Sequence, residues 1–214
     1  FTPKDSKDIT KYLNANTNKL LPMIFINHLL FDNKTGVYSH NVDDIVRAIT
    51  TSKYKFKEII FTFDEPMWNV RIACFNGVSK SCGDIGALYA TTQADIKIII
   101  DQLKAKLPTV SVGIMHVEAY PELVWQKEDW PWKHIELIPD ADYVAFDCYG
   151  GSIERCGIDS ILNRPVGYRH LLDYGNIILE AMLALNEQDH RVRKIMTIPG
   201  AFFGKGDLTH EAAV

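Results

Sequence analysis

Apolar positions run along this chain in two alternating rhythms. MIFINHLLF (residues 23–31), EIIFTFDEP (58–66), TVSVGIMHVE (109–118), DADYVAFDCYG (140–150) and RKIMTIPGAFFG (193–204) are near-continuous apolar runs. Runs of this length, without strict alternation, read as strands buried on both faces. The DNKTG that follows the first of them reads as a turn. Between the runs, apolar residues recur at helical spacing. Ile9, Tyr12 and Leu13 predict a helix over residues 3–14, opened by Thr2-Pro3. Val42, Ile45, Val46 and Ile49 form a second stripe, with Asn41 as its cap and Asp43 and Asp44 in its first turn. Ile96, Ile99, Ile100, Leu103 and Leu107 form a third, opened by a Thr92–Asp95 capping box and stopped by Pro108. A fourth helix is expected over about 167–187, with Leu171, Leu172, Ile178, Leu179, Met182 and Leu183 facing inward.

Strand, helix, strand, helix is the signature of a parallel sheet, because parallel neighbours need crossover connections. An open doubly wound sheet is expected to carry a glycine-rich phosphate loop after its first strand, and that position reads LLFDNKTG. A (β/α) barrel of the TIM type instead gathers polar residues at strand C-termini. This chain has them at each strand: Asn27 and His28, Asp64 and Glu65, His116 and Glu118, Asp147 and Tyr149, then Pro199-Gly200. Eight βα units take about 250 residues, so five visible strands in 214 residues predict an incomplete barrel. The expectation is one domain over 1–214, in which 1–20 supply a helix and a polar linker.

Composition changes this picture little and narrows the partners. A hydrophobic fraction of 47% with 23% charged residues is that of an ordinary folded domain. A net charge of −4 argues against nucleic acid as a partner, since phosphate contacts need clustered Lys and Arg. No apolar run reaches the roughly 20 residues of a membrane span. The four cysteines fall into two loops, CFNGVSKSC (Cys74, Cys82) and CYGGSIERC (Cys148, Cys156), with seven residues inside each pair. Two local disulfides are favoured over four free thiols, although three pairings are formally open. Disulfides in turn predict an oxidising, secreted or periplasmic location. Asn33-Lys34-Thr35 is a glycosylation sequon.

The stretch IIFTFDEPMW concentrates the chemistry: a buried run that delivers two acids, a proline and an aromatic. Glu118 follows another apolar run, and partial burial there would raise its pKa toward that of a general acid. Asp64, Glu65 and Asp147 are the candidates for its partner, because glycoside hydrolysis needs two carboxylates flanking the scissile bond. Trp68, Tyr120 and Tyr149 follow these acids directly, and Trp125, Trp130 and Trp132 crowd the loop after the third strand. Flat apolar faces of this kind suit sugar rings. Asn27, His28 and His116 complete the expected substrate contacts.

FTFDEPMW, GIMHVEAYPEL and DYVAFDCYG resemble strands of the TIM-barrel glycoside hydrolases, broadly the clan A kind, with a likeness in layout over about residues 22–203. That resemblance implies a glycan or polysaccharide substrate, no cofactor, and an acid/base Glu at the end of the fourth strand. It maps this Glu onto Glu118, which follows Val117 where the family usually has Asn, and which ends the third visible strand. A nucleophile Glu at the seventh strand has no counterpart here. The first alternative is a non-catalytic carbohydrate-binding barrel. The second is a metal-dependent barrel hydrolase using His28, Asp64, His116, Glu118 and Asp147, whose N and O donors suit zinc or manganese.

Overall fold

In a computed structural model of the chain, the described residues are 1–18, 20–75, 85–118, 137–148, 158–159, 164–165, 179–180 and 182–199. The strands are β1 (Met23–Phe25), β2 (Phe31–Asp32), β3 (Val37–Tyr38), β4 (Glu58–Asp64), β5 (Ser111–Glu118), β6 (Tyr143–Cys148), β7 (Ile158–Asp159), β8 (Arg164–Pro165) and β9 (Lys194–Pro199). The helices are α1 (Ser6–Ala15), α2 (Asn27–Leu30), α3 (Asp43–Thr50), α4 (Pro66–Phe75) and α5 (Ile85–Lys106). The fold is α/β. Five strands form one parallel sheet in the order β1-β4-β5-β6-β9, which is also their order along the chain. Among the described residues this sheet does not close into a barrel. The chain divides into two compact units, Phe1–His116 with Ile138–Asp142, and Val117–Leu137 with Tyr143–Val214.

In the first unit, α1 starts later than Thr2-Pro3 suggests. Asp5 is the true cap, accepting from the Lys7 and Asp8 amides at 2.8 and 3.1 Å, and the Asp8 carboxylate reaches back to the Lys4 amide. This satisfies N-terminal amides that the helix itself leaves unpaired. Ile9 and Leu13, four apart, are completely buried. The stripe of α3 is buried at Val42, Ile45 and Ile49 and half-buried at Val46. Its N-cap is Val42, without a side-chain cap, and the expected cap Asn41 stands one residue earlier, where its side chain accepts from the Asp43 amide at 3.0 Å.

The run MIFINHLLF is not one strand. β1 pairs in parallel with β4 (Met23↔Ile60, Ile24↔Phe61, Phe25↔Thr62), and the ladder ends when the Ile26 amide bonds Thr62 O at 3.1 Å. Ile26 then turns into the right-handed α region and α2 begins. The run stays apolar because Leu30 and Phe31 are buried in the same core by different elements. β2 and β3 form a hairpin around the expected DNKTG turn, where Asp32 accepts from the Lys34 amide and the Thr35 hydroxyl, and Gly36 supplies the positive φ of 71°. Asn33 is exposed on this turn.

β4 is buried on both faces, as its apolar run predicts. Ile59, Phe61 and Phe63 join Ile9, Leu13, Ile45, Ile96 and Ile99 in the main core. Strand alternation puts Ile60 and Thr62 on the other face, and both are buried too. The stripe of α5 is confirmed, with Ile96, Ile99, Ile100 and Leu103 completely buried. Its proposed capping box is not a cap. Thr92 and Asp95 lie inside a helix that already runs from Ile85; Thr92 donates to Leu88 O at 2.9 Å and Asp95 pairs with His40 at 2.9 Å. The segment 138–142 belongs to this unit because it is stapled to β5: Ile138 N donates to His116 Nδ1, Ile114 N to Asp142 Oδ2, and Asp142 N to Ile114 O, at 3.0, 2.9 and 2.8 Å.

In the second unit β6 and β9 pair in parallel over their whole length, from Tyr143↔Lys194 to Cys148↔Pro199. β7 and β8 form a small antiparallel pair. Residues 179–180 and 182–189 are helical, and the start of the expected helix over 167–178 lies outside the described residues. Met182 is buried, but Leu183, expected inside, is 53% exposed. It stands one position, about 100° of helical turn, beyond the buried residue. After the helix, Arg193 is buried: its guanidinium donates to Asn186 Oδ1 at 2.8 Å and grips both oxygens of Asp189. No helix among the described residues is long and apolar enough to cross a membrane.

Candidate functional site

The C-terminal ends of β1 and β4 carry the polar groups whose surroundings are best defined. Asn27 opens α2 directly after β1 and is buried; the Tyr38 hydroxyl donates to its Oδ1. Tyr38 comes from the hairpin, where its ring is wedged between Phe31 (centroids 5.1 Å) and Phe63 (6.4 Å). Burial pushes the Tyr38 phenol well above its ordinary pKa; the Asn27 hydrogen bond opposes this, and the negative charge of Asp64 adds to it. The phenol therefore stays protonated at any physiological pH and acts as a donor, with Asp64 close enough to be felt.

Asp64 ends β4 and is half-buried. Glu65, which follows, has a left-handed backbone with φ 48°. For a residue with a Cβ this costs about 1–2 kcal/mol, and Pro66 bars it from the right-handed alternative. Asn69, one turn into α4, holds the bend: its side-chain amide donates to Asp64 O at 3.0 Å and Glu65 O at 2.7 Å, and its backbone amide to Glu65 O at 3.0 Å. Two acids are thus presented where β4 breaks into α4, on a backbone fixed by side-chain hydrogen bonds. Strain of this kind concentrates at functional sites.

On β4, the Thr62 hydroxyl is completely buried and has no hydrogen-bond partner among the described residues. It shares a strand face with Asp64, two residues on. An unsatisfied buried hydroxyl costs about 1–3 kcal/mol.

The other expected residues fall as follows. His28 is in α2, exposed, and its ring Nε2 contacts Pro3 O. His116 is completely buried; its Nδ1 accepts from Ile138 N, so its ring proton sits on Nε2. Glu118 is the last residue of β5, and Asp147 the penultimate residue of β6. For these two, for Trp68 and for Cys148 the description stops at the backbone. Tyr120, Tyr149, Trp125, Trp130, Trp132, Cys82, Cys156 and Gly200 lie outside the described residues. Cys74 is disulfide-bonded. No three His, Cys, Asp or Glu side chains among the described residues gather as a metal site requires.

Tyr38, Thr62 and Asn69 were not singled out by sequence pattern. Asn69 left a signal, a lone amide inside the apolar helical stretch PMWNVRIACF. Tyr38 left none, because only the hairpin brings it to Asn27. No family model, curated protein or solved structure matches this chain.

Proposed function

We propose that the chain is a glycoside hydrolase-like (β/α) barrel, in part or whole, that acts on a polysaccharide or glycan by carboxylate acid/base catalysis. One observation carries this reading. The five parallel strands succeed one another in chain order, and β4, β5 and β6 each end in or beside an acid: Asp64, Glu118 and Asp147. A doubly wound sheet reverses its order at a switch point and binds ligands in the crevice there. A strictly sequential order has no such crevice and is the order in which a barrel is built.

Glu118 is the general acid in this reading, and Asp64, Glu65 or Asp147 the second carboxylate. Asp64 has the strongest local support, from the bend that Asn69 fixes behind it. Asn27 holds Tyr38 in place, and Trp68, Tyr120 and Tyr149 supply ring-stacking surfaces. Local pairs Cys74–Cys82 and Cys148–Cys156, with secretion or periplasmic export, complete the proposal; the bridged state of Cys74 supports it.

The test is reducing-sugar release from a panel of polysaccharides, alongside binding to the same panel. Glu118→Gln is expected to lower kcat by about 10²–10⁴ with binding preserved. Binding without turnover by the unmodified protein replaces the hydrolase with a carbohydrate-binding barrel. Neither binding nor turnover removes carbohydrate as the partner.

A further inference from the structure

Of the eleven asparagines in the sequence, only Asn33 has Thr or Ser two residues on, in Asn33-Lys34-Thr35. It lies in the turn between β2 and β3, where Asp32, Asn33, Lys34 and Thr35 are exposed in succession. The turn is held without its side chain. The Asp32 carboxylate accepts from the Lys34 amide at 2.8 Å and from the Thr35 hydroxyl at 2.9 Å. The Asp32 carbonyl accepts from the Gly36 amide at 2.7 Å, and Gly36 supplies the left-handed backbone.

Other asparagines of the chain are used by the fold. Asn14, Asn16, Asn27, Asn41, Asn69 and Asn186 each take part in a side-chain hydrogen bond. Among the described residues the side chains of Asn18 and Asn33 hold no such partner, and Asn18 is followed by Lys19-Leu20, which is no sequon. An exposed, uncommitted amide on a tight turn is where a bulky, hydrated sugar chain is carried without displacing any contact. The Thr35 hydroxyl, the other group that a sequon needs, is held by Asp32 in the closed hairpin. The acceptor is therefore read before β2 and β3 pair. Cys74 is bridged, as suits a chain that matures in an oxidising lumen.

We propose that Asn33 is an N-glycosylation site, served by a polyprenyl-diphosphate-linked oligosaccharide in an oxidising secretory compartment. Nδ2 of Asn33 forms a bond to C1 of the first sugar and gives up one proton. The C1–O bond to the donor breaks, and the diphosphate leaves with the bonding electron pair. The site rests on the secreted location in the reading above and is independent of the hydrolase chemistry.

The test secretes the full chain from cultured animal cells behind a cleavable leader and weighs it before and after peptide-N-glycosidase. The mass of one glycan is expected, removed by an enzyme that leaves a carboxyl in place of the Asn33 amide. Peptide mapping reads that change on the unmodified protein. Asn33→Gln and Thr35→Ala are expected to lose the glycan, and Thr35→Ser to keep it. Secreted protein with Cys74 bridged and Asn33 bare overturns the site and leaves the location standing. Bare Asn33 with Cys74 as a free thiol overturns both. A glycan that survives Asn33→Gln overturns the site as well.

Discussion

Two regions bury polar groups, and they do so in opposite ways. In the second unit, the Arg193 guanidinium is matched by the carboxylate of Asp189 and the amide of Asn186, all within one helix end and the strand it feeds. At the end of β4, the groups are unlike one another: a phenol held by an amide, a carboxylate, a left-handed Glu65 and a buried hydroxyl with no partner. The first is a charge-matched clamp whose use is to fix a turn, and within it only the Arg193 Nε lacks a hydrogen bond among the described residues. The second retains backbone strain and an unmet hydrogen bond beside an acid, a combination that stability alone does not explain.

The comparison breaks most visibly at Arg193. Arg193→Met is expected to cost about 2 kcal/mol, because a part-buried set of charge-assisted hydrogen bonds is lost at once; urea denaturation measures it, and an unchanged stability contradicts the clamp. The same clamp has an acid signature. Arg193 holds the Asp189 carboxyl down to about 2, chiefly through its side-chain hydrogen bond. A depressed carboxyl stabilises the fold fully above its unfolded pKa, near 3.8, and progressively less as pH falls toward about 2. Asp189→Asn should therefore flatten the stability profile between pH 4 and pH 2 and leave the slope above pH 5 unchanged.

Smaller effects sharpen the other side. Tyr38→Phe leaves Asn27 Oδ1 buried without its donor and is expected to cost about 1–2 kcal/mol. Thr62→Val is expected to do the reverse and stabilise by about 1 kcal/mol, since it replaces an unsatisfied hydroxyl with a methyl of the same shape. A stability gain together with lost sugar binding would make Thr62 a ligand contact. A stability loss would mean that the hydroxyl has an unseen partner.

What could be read beforehand follows from where one physical signal dominates. The stripe Ile96–Leu103 and the run EIIFTFD announce α5 and β4 because one period, or one unbroken apolar run, covers each element. MIFINHLLF misled because hydrophobicity reports burial and not conformation. Three elements bury it in one core, and the change from strand to helix at Ile26 leaves no mark in polarity. Thr92 and Asp95 have the spacing of a cap, yet one bonds within its own helix and the other reaches His40, a tertiary partner invisible in local sequence. At the site, Asp64 and Glu65 were legible as acids after a buried run. The strain at Glu65, the phenol beside Asp64 and the amide brace of Asn69 were not, because each depends on contacts that the fold creates.

The strictly successive order of the parallel strands has a consequence for how this sheet assembles. Every new strand finds its neighbour in the one made just before it, so no gap must be held open for a later arrival. Chain closure is then a series of similar, moderate loops instead of one long one. On the ribosome, where N-terminal segments emerge first, β1 and β4 can pair while β9 is still being synthesised, and each later strand of the five adds at the same advancing edge.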